Sequence, residues 1–280
     1  MKSLKIGYIS DEHIDFYVKT GTKNDKIRKY IEGILKPEGG DILLCAGDIS
    51  HYNNQTKFYL KEMTKYYNNV VFVHGNHDMY LVSEGQKKKF KKDSFKRLED
   101  LREFAFNEPN IHFLEGSVVS IDGLKIGGLS NWYDLPSPGY IQQWKEVMND
   151  SNLILEGSEP TALSFSYFEK SVSFDTQKFR KDIEKQWDEI EKCDILLTHI
   201  CPVIIPDEHL SVYVNDRNNI FFMTDDIDRV KKTNCEIVVY GHNHQNETWD
   251  YEDIEFKTNA IGYPVEHSGN SIKHFNFVIP

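Results

Sequence analysis

Five times along this chain, a short run of aliphatic and β-branched residues ends in a loop that opens on Asp, Asn or His. Ile6–Ser10 leads into Asp11-Glu12-His13, and Ile42–Ala46 leads into Gly47-Asp48. Val70–His74 leads into Gly75-Asn76-His77-Asp78, Ile195–Thr198 into His199, and Ile237–Tyr240 into Gly241-His242-Asn243-His244. Open α/β sheets gather their ligand sites outside the carboxyl ends of the strands. One or two such junctions would be chance, whereas five in register with strand ends argue for a single shared site.

The spacing of apolar residues predicts strands at Lys5–Ser10, Asp41–Ala46, Asn69–His74, Ile111–Leu114, Ser117–Ile121, Leu124–Leu129, Asp194–Thr198, Glu236–Tyr240, Ile254–Lys257 and Ser271–Val278. Asp122-Gly123 between two of them is a type I′ hairpin signal. Helical patterns cover Lys23–Leu35, Gln55–Tyr67, Glu84–Phe106 and Asp175–Cys193. In the last, Phe179, Ile183, Trp187 and Ile190 form one apolar stripe. Strands alternate with helices early and come in hairpin-like pairs later, which predicts an α/β fold with a mixed sheet or two stacked sheets between helices. The chain reads as a single domain, 1–280. The segment Asp134–Ser173 is broken by Pro136, Pro138, Gly139, Gly157 and Pro160, yet Tyr140, Trp144, Phe165, Tyr167 and Phe168 keep it apolar. It reads equally as a cap over a site and as an ordinary surface excursion.

Length and charge narrow the function. The 280 residues carry 33 basic and 44 acidic side chains, a net charge of −11. That balance disfavours stable binding to a long nucleic acid, which needs clustered Lys and Arg. It also leaves any anionic substrate dependent on local positive charge, which a metal supplies. Lys87–Arg102 is rich in lysine but also carries Asp93, Glu99, Asp100, Phe90, Phe95, Leu98 and Leu101, the pattern of a solvated amphipathic helix. No apolar run is long enough to span a bilayer, and the N-terminus has no signal-peptide pattern. Cys45, Cys193, Cys201 and Cys235 form no CxxC pair, so they read as reduced thiols of a cytoplasmic protein.

Carboxylate, amide and imidazole donors suit Mn, Fe, Zn or Ni. Asp11-x-His13 and His242-x-His244 each set two donors on one side of an extended segment or its turn, so each pair can chelate an ion. A lone Asp48 can bridge two ions through its two oxygens. His77 adjoins Asp78, which would either orient it or cap a helix. His74 reads as a core histidine; His112, His209 and His267 read as surface or loop residues. His51 is a partial exception because it follows the Gly47-Asp48 loop.

The ordered set DxH, GD, GNHD, H and GHxH resembles the calcineurin-like metallophosphoesterases, and it extends from Asp11 to His244. The resemblance implies a four-layer α/β/β/α sandwich of two mixed sheets flanked by helices, the metallo-dependent phosphatase fold. It implies two divalent metal ions, with manganese first and iron, zinc or nickel as alternatives. Asp11, His13, Asp48 and His244 would hold one ion; Asp48, Asn76, His199 and His242 would hold the other. His77 and Asp78 would be the catalytic residues. The implied reaction is in-line attack on phosphorus by a metal-bridging hydroxide, with His77 assisting.

The protein Ser/Thr phosphatases of this family extend the second motif to GDxxDRG, where the later Asp orients the catalytic histidine. Here the run is Gly47-Asp48-Ile49-Ser50-His51-Tyr52-Asn53, and the third motif ends in Asp78 rather than Glu. A phosphoprotein phosphatase is therefore disfavoured, and the partner of His77 is left open. Gly128–Tyr133 and Thr258–Pro264 also look like the family's small phosphohydrolases; Trp132, Tyr133 and Tyr263 would either wall the pocket or pack the sandwich edges. The expected substrate is a small phosphoester, a diester ahead of a monoester, with nucleotides among the candidates. A phosphomonoesterase and then a nuclease follow, and a non-catalytic interaction module is the rival from another class.

Overall fold

The structure is a computed structural model that describes residues 2–19, 24–160, 169–210 and 217–279. Its strands are β1 Lys2–Ile9, β2 Gly40–Cys45, β3 Tyr67–Phe72, β4 Ile111–Phe113, β5 Ser117–Ile121, β6 Leu124–Leu129, β7 Leu155–Pro160, β8 Glu169–Ser173, β9 Ile195–Thr198, β10 Ile237–Tyr240, β11 Thr248–Tyr251, β12 Ile254–Thr258 and β13 Lys273–Ile279. Its α-helices are α1 Ile14–Tyr17, α2 Asn24–Tyr30, α3 Asn53–Met63, α4 Glu84–Lys89, α5 Ser94–Phe106, α6 Pro138–Val147, α7 Asp150–Leu153, α8 Thr176–Glu189 and α9 Ile227–Thr233.

Two large mixed sheets carry the fold. One has the order β13-β1-β2-β3-β4, the other β11-β12-β10-β9-β6-β5. β1, β2, β3 and β4 pair in parallel, as do β12, β10, β9 and β6, while β13, β11 and β5 close the edges antiparallel. Strand alternation decides the layers. Ile42, Leu44, Ile195, Leu197, Ile237 and Val239 point between the sheets and form one buried cluster. Leu43 and Cys45 point the other way, onto Ile27, Tyr59 and Leu60 of α2 and α3. On the far side of the second sheet, Leu196 and Val238 meet Phe179, Ile183 and Trp187 of α8 and Val230 of α9. The layers run helix, sheet, sheet, helix, as the resemblance implies. Each such apolar side chain taken fully out of water contributes about 1.5–3 kcal/mol.

The β5–β6 hairpin turns at Asp122-Gly123 with φ of 54° and 94°, the double positive φ of a type I′ turn, and Ile121 pairs with Leu124. Elsewhere the boundaries move. The pattern over Glu84–Phe106 is two helices, because Lys91 and Lys92 take φ of 54° and 55° and Asp93 then caps α5 by accepting from the Phe95 N–H. The helix over Lys23–Leu35 starts at Asn24 and ends as a π-helix over Ile31–Leu35, Lys23 lying outside the described residues. α3 spans Asn53–Met63 and gives way to β3 at Tyr67.

Within the Asp134–Ser173 segment the structure has α6, α7 and the antiparallel pair β7–β8. Trp144 and Ile154 are buried with Phe174 and Phe179 beyond it, so the described part is tied to the core. Phe165, Tyr167 and Phe168 lie outside the described residues. No helix among the described residues is long and apolar enough to cross a membrane.

Candidate metal centre

The loops after β1 and β2 continue the sheet's pairing beyond its formal end. The Asp11, His13 and Ile14 N–H groups donate to the carbonyls of Gly47, Asp48 and Ile49, each at 3.0 Å. This ladder sets Asp11, His13 and Asp48 side by side. Beyond Ser10 the chain also pairs with the loop after β12: Ser10 N–H donates to Asn259 and Gly262 N–H to Asp11, so the ends of both sheets are stitched together at the site.

The backbone is strained where the polar side chains project. Asp11, His13, Asp48, His242 and His244 have φ of 52°, 41°, 60°, 70° and 53°. For residues other than glycine this left-handed region costs on the order of 1–3 kcal/mol each, and it concentrates at functional sites. Gly75 is required for a different reason. A Cβ there would lie 2.1 Å from Asp48 Oδ1 and 2.6 Å from His199 Nε2, inside van der Waals contact. Gly75→Ala is expected to displace Asp48 and His199 and to lower metal content measured by atomic emission, with the chain still folded by circular dichroism. Unchanged metal content would contradict this packing.

Two clusters of donors result. In the first, Asp11, His13 and His244 converge. His13 Nε2 and His244 Nε2 are 3.1 Å apart, and His244 Nε2 lies 3.6 Å from Asp11 Oδ1. In the second, Asp48, His199 and His242 converge, with His199 Nε2 3.4 Å from Asp48 Oδ2 and 3.2 Å from Asn76 Oδ1. Asp48 also groups with His13 and His77, so it stands between the clusters.

The outer nitrogens fix which ring atom faces inward. His199 Nδ1 donates to the Ala46 carbonyl at 2.7 Å and His242 Nε2 to the Phe221 carbonyl at 2.9 Å, while His244 Nδ1 meets Glu266 Oε2 at 2.7 Å. Each therefore turns its other nitrogen to the cluster, the arrangement that orients metal-binding imidazoles.

The donor set fits cations. Burial, then the neighbouring imidazoles, hold His13 and His242 well below the usual histidine range, so these rings are neutral and free to ligate, and the same causes leave the His77 ring neutral at rest. Burial raises the Asp48 carboxyl, and Asp11 and Asp78 add to that against the opposing pull of His199. Burial would lower His199, but Asp48 and Asp11 overcome it and push it up to about 9. Both shifts report unbalanced negative charge in a buried space, where neutral lone pairs also sit at close quarters. Divalent ions resolve both.

Asn76 is oriented from outside the motifs. Its Nδ2 donates to Asp150 Oδ1 at 2.8 Å and lies 3.0 Å from Tyr80 Oη, leaving Oδ1 turned to His199. Asp150 is fully buried and also accepts from the Tyr80 and Tyr133 hydroxyls. An acceptor-only carboxylate forces the Asn76 amide to present its oxygen inward. Asp150→Ala is expected to weaken metal binding about 10–100-fold, the usual effect of removing a group that orients a ligand. Titration of the metal-free protein with Mn²⁺ checks it, and an unchanged affinity would remove Asp150 from the site.

Asp78 does neither of the things the sequence suggested. Its Oδ2 accepts the N–H groups of Asp48 and Gly75, at 2.8 and 2.9 Å, and so braces the loop that carries Asp48. The His77 ring instead has its Nδ1 2.8 Å from Nε2 of His51, whose Nδ1 is 2.7 Å from Asp15 Oδ2. Its own Nε2 is 3.3 Å from the Tyr263 hydroxyl and 4.0 Å from Asp48 Oδ2. Asp15 is a neighbour that motif reading passed over, and His51 is the residue it set apart only for following the Gly47-Asp48 loop.

Arg97 was also passed over, hidden in a lysine-rich run. It is fully buried and donates to the carbonyls of Ser50, His77 and Tyr80 and to Asn53 Oδ1. Burial lowers its guanidinium to about 10 despite the nearby Asp78 and Asp15, so it is still charged at neutral pH. His74 is buried against Phe113 and Phe179, a core position.

A cavity of about 370 Å³ opens over the centre. Asp48, His77, His242 and His244 form part of its floor, and Tyr80, Phe222 and Tyr263 part of its walls. Of the three aromatics weighed as pocket walls, only Tyr263 lines it. Trp132 and Tyr133 are buried in the core, where Trp132 Nε1 donates to Thr176 and Tyr133 bonds to Asp150 and Trp144.

Residues 4–246 match the family model described as calcineurin-like phosphoesterase. The uncharacterized protein L509 of Acanthamoeba polyphaga mimivirus is 22% identical over 288 residues, covering 97% of this chain and 95% of that one. The phosphopantetheinyl hydrolase PptH of Mycobacterium tuberculosis has a similar fold, with a TM-score of 0.68 and 17% identity, covering 96% of this chain and 95% of that one. The family match spans every strand-end junction that supplies a donor, and the chain belongs to the calcineurin-like phosphoesterases, metal-dependent hydrolases of phosphoric esters.

Proposed function

We propose that this protein hydrolyses a small phosphodiester whose alcohol arm is uncharged and bears amide or hydroxyl groups. The observation that carries the reading is the pocket lining. Around the metal centre it offers the amides of Asn149, Asn218, Asn219 and Asn243 beside Val147 and Phe222, and no lysine or arginine is among the described lining residues. One phosphoryl group finds its counter-charge at the floor; a second would find none. Monophosphate diesters fit this lining better than polyphosphates, and the nucleotide candidates narrow to singly charged ones. PptH, by its name, acts on phosphopantetheinyl groups. Their arm carries amides, so phosphopantetheinyl diesters are the first substrates to try.

In this reading Asp11, His13, Asp48 and His244 hold one divalent ion and Asp48, Asn76, His199 and His242 hold the other, manganese being the first choice over iron, zinc or nickel. Bound there, the ions lower the pKa of a water and neutralise the phosphoryl oxygens. His77 faces the same space with Nε2 and hands a proton to the departing alcohol, a role worth 10²–10⁴-fold. Tyr263, 3.3 Å from that nitrogen and stacked on His13, keeps the ring's approach narrow. The whole chain acts as one domain, with α6 and the loop to α7 forming a wall of the pocket. Four unpaired buried cysteines support a cytoplasmic setting.

The test is a paired assay in Mn²⁺ of a chromogenic phosphodiester and its matching monoester, with His77→Ala as the blank. Faster diester turnover is expected. A preference for the monoester would replace this reading with a phosphomonoesterase, turnover of neither ester by either protein would favour the non-catalytic interaction module, and wild-type activity in His77→Ala would remove His77 from the chemistry.

A further inference from the structure

We propose that His51 and Asp15 form a positioning chain behind His77, fixing its tautomer and aiming its Nε2 into the pocket. The inference rests on the reading of His77 above. Asp15 Oδ2 lies 2.7 Å from His51 Nδ1, and its other oxygen accepts the His51 N–H at 2.9 Å and the Ser50 hydroxyl at 3.1 Å. That carboxylate is held from three directions and accepts only, so His51 Nδ1 carries a proton and His51 Nε2 is a lone pair. His51 Nε2 is 2.8 Å from His77 Nδ1, with the ring planes 13° apart, so His77 Nδ1 is the donor. His77 Nε2 is then the atom left facing the pocket.

The backbone holds the chain of groups in place. Gln86 donates to the His51 carbonyl, and Arg97 grips the carbonyls of Ser50 and His77 on either side of the His51–His77 contact. Both histidines are buried, which limits competition from water for these bonds.

During turnover water adds its oxygen to phosphorus and the bond from phosphorus to the alcohol oxygen breaks, its electron pair staying on that oxygen. The proton lost by the attacking water reaches the lone pair of His77 Nε2 through solvent, and Nε2 delivers it to that oxygen, leaving the ring neutral again. Throughout, the His77 Nδ1–H donates to a ring polarised by the Asp15 carboxylate. A neutral ring is a weaker brace than a carboxylate in direct contact, but it reaches Asp15, which stands too far back to touch His77. Among the described residues His51 neither lines the cavity nor belongs to a donor group, so it is a positioning residue.

The test separates positioning from simple structural support through the leaving group. 4-Nitrophenyl methyl phosphate loses a phenolate that needs little protonation, whereas benzyl methyl phosphate loses an alkoxide that needs a proton. In Mn²⁺, His51→Ala is expected to slow kcat for the benzyl diester on the order of 10²-fold and for the nitrophenyl diester less than about 5-fold, with KM and metal content unchanged. His51→Gln should recover most of the loss, because its amide can accept from His77 and donate to Asp15. In the metal-free protein, ¹⁵N-resolved spectra should show slowly exchanging ring protons on His51 Nδ1 and His77 Nδ1. The latter should be lost in His51→Ala and kept in His51→Gln. Equal losses on both diesters, no loss on either, or an unprotected His77 ring proton in the wild type would overturn the proposal. Failure of the wild type on both diesters with the ring protons present would instead overturn the phosphodiesterase reading.

Discussion

Asp48→Asn is expected to lower kcat/KM on the order of 10⁴-fold, the several kcal/mol of charge stabilisation that divalent ions contribute to phosphoryl transfer. Asp48 is the side chain that belongs to a donor group with His13 and His77 and to another with His199 and His242. Asn keeps the shape and an oxygen to accept the His77 N–H, which Asp48 Oδ1 now does at 2.8 Å. What it removes is the second anionic oxygen and the charge. The backbone ladder from Asp11, His13 and Ile14 does not involve the carboxylate, so the variant should fold, as circular dichroism would show. Turnover within tenfold of the wild type would contradict the bridging role.

The second large effect falls on stability. Arg97→Ala should destabilise the fold by about 3–5 kcal/mol, since it leaves buried carbonyls without donors and opens a cavity. For a chain of this size that corresponds to a fall in Tm on the order of 10 °C. The carbonyls concerned belong to Ser50, His77 and Tyr80, so the loops carrying His51 and His77 lose their common anchor. Arg97→Lys should recover little, because an ammonium cannot span the separate acceptors that a planar guanidinium reaches. A thermal melt within about 2 °C of the wild type would show that the guanidinium bonds are not supporting these loops.

Much of this was legible in the residues because the fold and the site share one cause. Parallel strands deliver their loops to one edge, and each loop must open on the donor it presents, so a list of strand ends was already a list of candidate donors. The Asp122-Gly123 turn was equally plain, since its residue pair states its own φ values. The misplaced features depend on contacts remote in sequence. Arg97 lies in a run of lysines whose composition reads as solvated, and only the approach of the Ser50 and Tyr80 carbonyls makes its burial favourable. The break between α4 and α5 arises at lysines in the left-handed region, a conformation their residue type does not announce. β7 and β8 draw on Gly, Ser, Glu, Lys and Pro, a composition that does not mark them as strands.

The histidine neighbours divide the same way. His51 stands three residues after Asp48, where the phosphatase motif has its second Asp, and a substitution there conceals the role. Asp15 lies among Ile14 and Phe16 with no motif around it. Asp150 sits in the aromatic segment that read equally as cap or excursion, and its hold on Asn76 ties that segment to the centre.

The central claim is that donors from both sheets build one centre for a pair of ions around Asp48. Its most direct measurement is the metal content of the wild type and Asp48→Asn after loading with Mn²⁺ and desalting. About two ions per chain are predicted for the wild type and fewer than about one for the variant, in line with the loss expected when a ligand is removed. A wild type that retains none, or a variant that retains as many as the wild type, would contradict it.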